Sequence, residues 1–378
     1  MHLRMSKKEI ISSYYRERMF FMNYAIVGCG RISPNHIEAA RNNDLNIVAL
    51  CDLDIDKAMK LKEQFSLENV QVYSNYMEMI EKEEVDLIAI ATESGYHAKI
   101  AIDLIKEKKH LIIEKPIALS LEDAQEIIDL AKKYDVVVSA CHQNRFNKAV
   151  GKLRDSIVKG DFGKLFHGTA HIRGNRGKEY YTQAPWRGTW ENDGGALMNQ
   201  CIHNIDLLRW MLGGEVTEVF SFTDNLNHSF IEAEDLGLAL VKFKNGAYGV
   251  IEGTTNVYPR NLEETLYIFG ETGTVKLGGK SVNQIDEWYF SRISEDTEKL
   301  KKDFSEFPTS VYGFGHTPLY KDVKNAIINS HEPYVTAKDG MEALELVLAI
   351  YKSSKEGKAV KLPLDKGSTR EFKKGFMK

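Results

Sequence analysis

The stretch Tyr24-Ala25-Ile26-Val27-Gly28-Cys29-Gly30-Arg31-Ile32-Ser33 indicates the fold of this chain. Its apolar start predicts a buried strand, and the two glycines allow a tight turn and let the backbone approach a pyrophosphate. The helix predicted to follow offers unpaired N–H groups and partial positive charge at its start. Ser33 stands where the dinucleotide-binding fingerprint has its third glycine, yet the strand before the loop and the helix after it support the same site. The predicted cofactor contacts in this loop are Gly28, Gly30, Arg31 and Ile32.

An acidic residue follows the second predicted strand. Asp52 comes 22 residues after Gly30, close to the spacing of about 20 expected for an acid that binds the ribose hydroxyls. A carboxylate there would repel a 2′-phosphate, so the sequence favours NAD over NADP. The alternative is that Asp52 is a loop or capping acid, although Asp54 is also a candidate for the helix cap.

Short apolar runs alternate with amphipathic stretches from Tyr24 to about Gln143. This alternation predicts a doubly wound parallel sheet with right-handed crossovers, that is, a Rossmann domain. Continuous apolarity in the runs indicates strands that are buried on both faces. The predicted strands are Tyr24–Val27, Ile47–Cys51, Val70–Tyr73, Leu87–Ala91, His110–Ile113 and Val136–Ala140, and the predicted helices include Lys57–Gln64, His97–Lys108 and Leu121–Lys133.

The pattern changes after a predicted linker helix at Lys148–Lys159. Leu238–Phe243 and Ala247–Ile251 flank an Asn-Gly turn and predict a hairpin, and Leu266–Phe269 with Thr274–Leu277 predict another. This half is predicted to be an α/β domain with a large, mostly antiparallel open sheet, covered by helices at Ile205–Leu212, Pro318–Asn329 and Gly340–Lys352. The predicted division is therefore an extension at 1–21, a nucleotide-binding domain at 22–143 and a second domain at 144–378.

Composition narrows the class of protein. The chain has 378 residues, 43% of them hydrophobic and 28% charged, which is enough to bury two cores. A net charge of −4 without a basic block argues against a nucleic-acid partner. No apolar run approaches the roughly 20 residues that span a bilayer, so no membrane association is expected. Four cysteines without a CxxC pair predict small buried residues in a reducing compartment, and we expect cytoplasmic residence and no metal site.

Two motifs about ninety residues apart carry the predicted chemistry. The first, Ile113-Glu114-Lys115-Pro116, ends a buried strand, and its X-Pro bond is a candidate for the cis form. The second runs from Gly194 to Asp206, starting on a glycine turn and entering a helix. This helix carries two candidate catalytic residues, Asn199 and, four residues later on the same face, His203. A lysine at this position can stabilise a developing alkoxide, and a neutral histidine near a helix start can accept a hydroxyl proton. Downstream of a nucleotide loop, this pair indicates hydride transfer from a hydroxyl-bearing carbon.

These segments resemble the Gfo/Idh/MocA family of NAD(P)-dependent oxidoreductases. The resemblance covers about residues 22 to 360 and rests on the glycine loop, Ala91–His97, Glu114–Pro116, Gln143–Phe146 and Gly194–Asp206. It implies a Rossmann domain followed by an α/β domain with an open sheet that often mediates homo-oligomerisation. It also implies Lys115 and His203 as the active-site pair, with Thr92, His97, Glu114 and Lys115 near the cofactor. Helix capping by Thr92 with a solvated His97 is the alternative for that segment.

Asn199 departs from a common pattern of the family, in which many members similar to inositol dehydrogenase carry Asp. The Met-Asn-Gln-x-Ile-His form and Pro185–Glu191 are similar to a subgroup that oxidises UDP-N-acetylglucosaminuronate at C3 in the synthesis of diamino sugars. Arginine and aromatic side chains suit the carboxylate, pyrophosphate and ring faces of such a substrate. The predicted substrate contacts are Arg145, Tyr181, Trp186, Arg187 and Asn199, with Arg173, Arg176 and Tyr180 nearby.

The leading hypothesis is therefore an NAD-dependent dehydrogenase that acts on the C3 hydroxyl of a UDP-linked N-acetylated hexuronate, in nucleotide-sugar or surface-polysaccharide biosynthesis. Two alternatives stay open. One is an inositol or free-sugar dehydrogenase, which would need fewer cationic side chains at the substrate. The other is a non-catalytic protein that senses NAD, against which the presence of both Lys115 and His203 argues.

Overall fold

A computed structural model of the protein describes residues 22–292, 295–308 and 312–373. The N-terminal extension predicted at 1–21 lies outside these residues. The described chain contains a parallel sheet, as predicted for the first half, and a larger sheet formed by the second half.

The first sheet has six strands within the described residues, all parallel. Its strands are β1 (Asn23–Val27), β2 (Asn46–Cys51), β3 (Gln71–Tyr73), β4 (Leu87–Ile90), β5 (His110–Ile113) and β6 (Val138–Ala140), and the helices between them are α1 (Ser33–Asn42), α2 (Ile55–Gln64), α3 (Tyr76–Lys82), α4 (His97–Lys106) and α5 (Leu121–Tyr134). The order β3-β2-β1-β4-β5-β6 reverses direction between β1 and β4, which is where doubly wound sheets bind nucleotides. The predicted Rossmann domain is confirmed.

Side chains of β1 alternate between two hydrophobic cores. Tyr24 and Ile26 point into one core, while Ala25 and Val27 point into the other. Successive residues of a strand face opposite sides of the sheet, so a strand with helices on both sides must be apolar at every position. This explains why the run reads as continuously hydrophobic in the sequence.

The second sheet has eight strands among the described residues, in the order β13-β12-β11-β7-β10-β9-β8-β14. They are β7 (Leu165–Arg173), β8 (Val216–Asp224), β9 (Leu236–Phe243), β10 (Tyr248–Thr254), β11 (Glu263–Gly270), β12 (Gly273–Gly278), β13 (Gln284–Phe290) and β14 (Val360–Lys361). Only the β7–β10 pair is parallel, so the mostly antiparallel sheet is confirmed. Both predicted hairpins are present, as β9–β10 and β11–β12.

One helix of the second half lies elsewhere than predicted. The helices here are α6 (Lys148–Val158), α7 (Lys178–Thr182), α8 (Ile202–Met211), α9 (Thr297–Phe304), α10 (His316–Asn329) and α11 (Ala337–Glu356). The expectation that Pro318–Asn329 covers the second sheet is wrong, because α10 packs on α1 of the nucleotide-binding domain. Leu319, Tyr320 and Val323 share a core with Tyr24. The amphipathic pattern of α10 revealed a buried face but not which domain buries it.

The outer face of the second sheet carries exposed apolar side chains. They include Phe222, Leu238, Leu240 and Tyr248, which alternate along their strands with buried residues. All four cysteines are buried and free, as predicted. None of the helices in the described ranges is long and apolar enough to cross a membrane.

Candidate active site

The loop after β1 has the geometry that a dinucleotide needs. Gly28 has φ of +100°, and a Cβ atom there would lie 2.4 Å from the carbonyl carbon of Ala91, so only glycine fits. A Cβ atom on Gly30 would meet nothing within 4 Å, which leaves its backbone open to a phosphate. The Ser33 hydroxyl donates to the Gly30 carbonyl oxygen at 2.7 Å. It closes the turn at the position where the fingerprint has its third glycine. Arg31 and Ile32 follow on the exposed side of the loop before α1.

Asp52 is held at the end of β2 by main-chain donors. Its Oδ2 atom accepts from the N–H of Cys29 at 2.8 Å, and its Oδ1 atom accepts from the N–H of Asp54 at 2.9 Å. The helix cap is Asp54, whose side chain accepts from the N–H of Asp56. Asp52 is therefore tied to the glycine loop and is free of the capping role, an arrangement that suits a ribose acid.

Thr92 and His97 lie beside the strand end at the switch point of the sheet. His97 is buried, and its ring nitrogens lie 2.8 Å from the Pro116 oxygen and 3.1 Å from the Thr92 oxygen. Burial lowers the pKa of His97, although these two carbonyl groups oppose the shift. The prediction that His97 contacts the cofactor is corrected, because both nitrogens face main-chain carbonyls and the ring joins two loops. Thr92 is half-buried at the carboxyl edge of the parallel sheet, where the crevice for the nucleotide is expected.

Glu114 points into the protein rather than into the crevice. Its Oε1 atom lies 3.1 Å from Nε2 of His36 and 3.7 Å from Nε2 of His316, and its Oε2 atom accepts from the N–H of Lys115. Burial opposes its ionisation, but the nearby imidazoles of His316 and His36 hold the pKa of Glu114 well below its usual range. The carboxylate of Glu114 therefore fixes the Lys115 main chain, and the predicted contact of Glu114 with the cofactor stays a prediction. The donor atoms of His36, Glu114, Cys141 and His316 lie within 4.8 Å of one another and are the described set that could hold a metal ion.

The half-buried side chains of Lys115 and His203 line the crevice, and the buried Gln143 lies beside the histidine. Lys115, whose peptide bond to Pro116 is cis, donates from Nζ to the main-chain oxygen of Asn199 at 2.8 Å. The Nε2 atom of His203 lies 3.4 Å from the Nε2 atom of Gln143, and the ring packs edge-on against His142. Desolvation and the charge of Lys115 lower the pKa of His203 well below its usual value. The imidazole is therefore neutral, as a general base must be.

Asn199 and His203 lie in two kinds of helix. Leu197–Cys201 forms a π-helical turn that carries Asn199, and His203 follows in the first turn of α8. The side chain of Asn199 turns to Asp193, to which its amide donates a hydrogen bond. π-Helical turns cluster at functional sites, and this one brings the Asn199 carbonyl to Lys115. Asp193 was missed by sequence reasoning, although it stands directly before the glycine turn at 194–195.

Arg145 does not reach the crevice, which corrects its prediction as a substrate contact. Its guanidinium forms two hydrogen bonds to Asp206, at 2.6 and 2.7 Å, and a third to Asp339. The side chain is about 1% exposed and lies against the Trp210 ring. Burial opposes ionisation of Asp206, but the charge of Arg145 lowers the pKa of that carboxyl. Asp206 thus serves this ion pair rather than orienting His203.

Three arginines surround Tyr180, whose hydroxyl accepts from the side-chain amide of Gln200 at 3.1 Å. The guanidinium carbons of Arg31, Arg176 and Arg187 lie 5.5, 5.3 and 4.2 Å from the ring centroid. Arg31 also donates to Gln183, so this cluster joins the nucleotide loop to the second domain.

The other residues predicted at or near the substrate differ in exposure and in their contacts. Trp186 is half-buried beside Arg187. Tyr181 is buried against His228 and Phe230, with its hydroxyl 3.4 Å from that of Thr255, and so supports the site from behind. Arg173 is occupied by Glu252 and Glu263.

Glu264 was not foreseen from the sequence. Burial raises its pKa to about 7, while the charges of Arg176 and Lys115 act in the opposite direction, so its carboxyl shares their electrostatic environment. A group poised between protonation states beside a lysine is typical of functional sites. In the sequence it is one acid of a Glu263-Glu264 pair in a strand, with nothing to distinguish it.

Comparison with known proteins agrees with this geometry. Residues 22–142 match the oxidoreductase family with an NAD-binding Rossmann fold, and residues 150–276 match the GFO/IDH/MocA C-terminal domain. The WlbA dehydrogenase from Bordetella pertussis, solved with NADH and UDP-GlcNAcA, is 36% identical with a TM-score of 0.85, over 91% of this chain and 99% of that chain. WlbA from Chromobacterium violaceum, solved with the same two ligands, is 34% identical with a TM-score of 0.83, over 91% and 97%. Myo-inositol 2-dehydrogenase from Thermotoga maritima is 28% identical over 90% of this chain and 98% of the relative.

Proposed function

This chain belongs to the Gfo/Idh/MocA family and is an NAD-dependent oxidoreductase, and from that premise we propose that it oxidises the C3 hydroxyl of a UDP-linked N-acetylated hexuronate. The observation that carries the proposal is the similarity along almost the whole chain to two dehydrogenases solved with UDP-GlcNAcA. We further propose that the reaction belongs to nucleotide-sugar biosynthesis for surface polysaccharides.

The cationic cluster around Tyr180 supports a substrate of this class. Arg31, Arg176 and Arg187 present three guanidinium groups on one side of the crevice. Guanidinium groups bind carboxylate and phosphate oxygens through paired N–H donors. A hexuronate linked to UDP carries both kinds of anion, whereas a neutral polyol carries neither.

Two residues act on the reacting hydroxyl group: His203 as the base and Lys115 as a hydrogen-bond donor. NAD, when bound against the Gly28–Ser33 loop, supplies the acceptor for the hydride. The neutral His203 imidazole takes the hydroxyl proton, and the Lys115 ammonium donates a hydrogen bond to the same oxygen as its charge develops. The Asn199 carbonyl holds the ammonium at the crevice through the 2.8 Å hydrogen bond.

The test is turnover with a panel of substrates. Purified protein is mixed with NAD, a 2-oxo acid that recycles tightly held cofactor, and either UDP-sugars or free inositol and glucose. Products are identified by mass spectrometry, and a Lys115→Met/His203→Asn protein is the blank. We expect a 3-keto product from UDP-N-acetylglucosaminuronate alone. Turnover of free polyols without turnover of any UDP-sugar would contradict the proposal.

A free-polyol activity is the second candidate, because an inositol dehydrogenase aligns over 98% of its own length with this chain. The same panel decides between the two candidates. In the polyol case, removal of the Arg187 guanidinium would leave the KM for inositol unchanged, since a neutral substrate has no anion for it to bind.

We also propose that the protein is a homo-oligomer that pairs through the outer face of its second sheet. The exposed residues Phe222, Leu238, Leu240 and Tyr248 lie on that face. Apolar side chains at alternate positions of adjacent strands form a continuous patch, and such patches commonly mark interfaces. Light scattering of the wild-type protein and of a Leu240→Lys variant tests this: a monomeric wild type would contradict it.

A further inference from the structure

A carboxylate that the proposed mechanism does not use is linked to the active-site lysine through one residue, Asn199. Asp193 is 2% exposed, and both of its oxygens accept hydrogen bonds. One accepts from the N–H of Gly188 at 2.7 Å, and the other accepts from the side-chain amide of Asn199. A buried acid held by donors on both sides has a fixed position.

Asn199 connects this acid to the reactive centre. Its side chain binds Asp193, and its main-chain oxygen accepts from Nζ of Lys115 at 2.8 Å. The π-helical turn at Leu197–Cys201 lets one residue make both contacts, because it directs the Asn199 carbonyl toward Lys115 while its side chain reaches back to Asp193. The three residues form a continuous path from a buried charge to the ammonium group.

We infer that Asp193 is a positioning residue for Lys115, acting through Asn199, and that its carboxylate takes the place of the one that position 199 lacks. The inference rests on the proposed dehydrogenase reaction. It accounts for the amide at 199, which cannot itself carry the negative charge found there in many members of the family. The charge is retained six residues earlier, in contact with that amide.

The groups that face Asp193 are of both signs. Lys115 and Arg187 are the cations that act on it, Tyr181 is a neutral neighbour, and Glu234 is a second buried acid. Burial raises the pKa of Asp193 to about 7, against the hydrogen bonds and the two cations. Burial and the charge of Asp193 raise the pKa of Glu234 to about 8.

The contacts of Glu234 favour its protonated form over its charged form. Its Oε1 atom accepts from the N–H of Leu197 at 2.8 Å and from the Tyr351 hydroxyl at 3.0 Å. Its Oε2 atom has no hydrogen-bond partner among the described residues, which suits a protonated oxygen better than a charged one. Of these two acids, Asp193 is then the one that carries a negative charge near Lys115.

The pH dependence follows from this charge. Above about pH 7 Asp193 is ionised and attracts the ammonium group, whereas below it the acid is neutral and that attraction is lost. Because His203 stays neutral to lower pH, we expect the ionisation of Asp193 to contribute to the acid limb of kcat near pH 7, together with that of Glu264.

The first test is Asp193→Asn. The new amide keeps both hydrogen bonds if the Asn199 amide rotates by half a turn, so the substitution removes the charge alone. We expect kcat at pH 8 to fall by about ten- to a hundredfold, since a hydrogen-bonded charge is lost, while the KM for the UDP-sugar changes little. The acid limb near pH 7 should become shallower, because only the contribution of Glu264 is left. Glu345→Gln is the matched control, because Glu345 also has a raised pKa and binds a main-chain N–H, that of Leu364, away from the crevice.

The second test is rescue. Asp193→Asn/Asn199→Asp returns one carboxylate to the pair and should recover most of kcat, with unchanged thermal unfolding. Wild-type kcat and an unchanged pH profile in Asp193→Asn would overturn the inference. A folded double variant that fails to recover would also overturn it, because the effect of Asp193 would then be merely structural.

A third measurement does not need turnover. An amine-reactive acylating reagent is applied at pH 8, and the labelling rate of Lys115 is read by mass spectrometry against that of exposed Lys99 in the same digest. We expect Lys115 to react several-fold faster in Asp193→Asn, because its charged form has lost a counter-charge. Equal rates would overturn the inference, whereas failure of the substrate panel alone would count only against the proposed function.

Discussion

The Nζ atom of Lys115 lies 2.8 Å from the main-chain oxygen of Asn199, and this hydrogen bond joins the end of β5 to the turn that leads into α8. It connects the two regions of the chain at the point where the reaction is proposed to occur. The lysine is therefore set by the second domain as well as by the strand that carries it. The same hydrogen bond thus links the two domains and orients the ammonium group.

Removal of the ammonium group should abolish chemistry without removing the cofactor. For Lys115→Met we expect kcat to fall by about 10²- to 10⁴-fold, because a donor to the developing alkoxide is lost. NADH affinity, measured by fluorescence titration, should stay within about threefold of wild type. Exposed Lys99→Met is the control and should behave as wild type. A modest change in kcat would remove Lys115 from the mechanism.

The lowered pKa of His203 should make the free energy of unfolding depend on pH. Its pKa is lowered in the folded chain, so in acid the unfolded chain binds a proton that the folded chain refuses, and stability falls as pH drops below about 6.5. His203→Asn should lessen that fall by about 1 kcal/mol per pH unit. Urea unfolding at pH 8 and pH 5.5 measures it, and exposed His331→Asn should keep the wild-type slope. Identical slopes in all three proteins would mean that His203 binds its proton equally well in the folded and the unfolded chain.

The acid at the end of β2 should govern cofactor choice. Asp52→Ala is expected to raise the ratio of NADP to NAD efficiency by about tenfold or more, because the repulsion of a 2′-phosphate is lost. Asp54→Ala is the control, since it removes the helix cap and should cost about 1 kcal/mol of stability without changing the ratio. An unchanged preference in Asp52→Ala would show that another residue selects the cofactor.

The arginine nearest the Tyr180 ring should act on binding rather than on chemistry. Arg187→Ala is expected to raise the KM for a UDP-sugar about tenfold with little change in kcat, because it removes one charged contact. Arg173→Ala is the comparison, since that arginine is already paired with Glu252 and Glu263. If both variants raise KM equally, the effect comes from net charge and the cluster does not bind the substrate.

Arg145 should matter for stability. Arg145→Met leaves the Asp206 carboxylate buried without its two hydrogen bonds, which typically costs about 3–5 kcal/mol. Denaturant unfolding should reveal this loss, whereas the KM for a UDP-sugar in the folded fraction should stay near wild type. A raised KM with normal stability would restore Arg145 to the substrate site.

The sequence by itself determined the structural features that depend on residues close together along the chain. Tyr24–Ser33 specifies a strand, a turn and a helix because glycine at 28 and the apolar run act locally. The same holds for Asp52 at a strand end and for both hairpins, one of which turns on Asn-Gly. Periodicity and turn residues are short-range signals, so the Rossmann domain and the antiparallel sheet were predictable.

Only the tertiary structure decided which polar groups meet. Arg145 looked like a substrate ligand until the fold placed Asp206, 61 residues away, against it. Nothing in the sequence distinguished Asp193 from other acids, but in the structure the π-helical turn brings Asn199 to it and to Lys115. A buried charge must find a partner, and the partner can come from any element that packs there. That choice is made by packing across the whole chain, which no local pattern encodes.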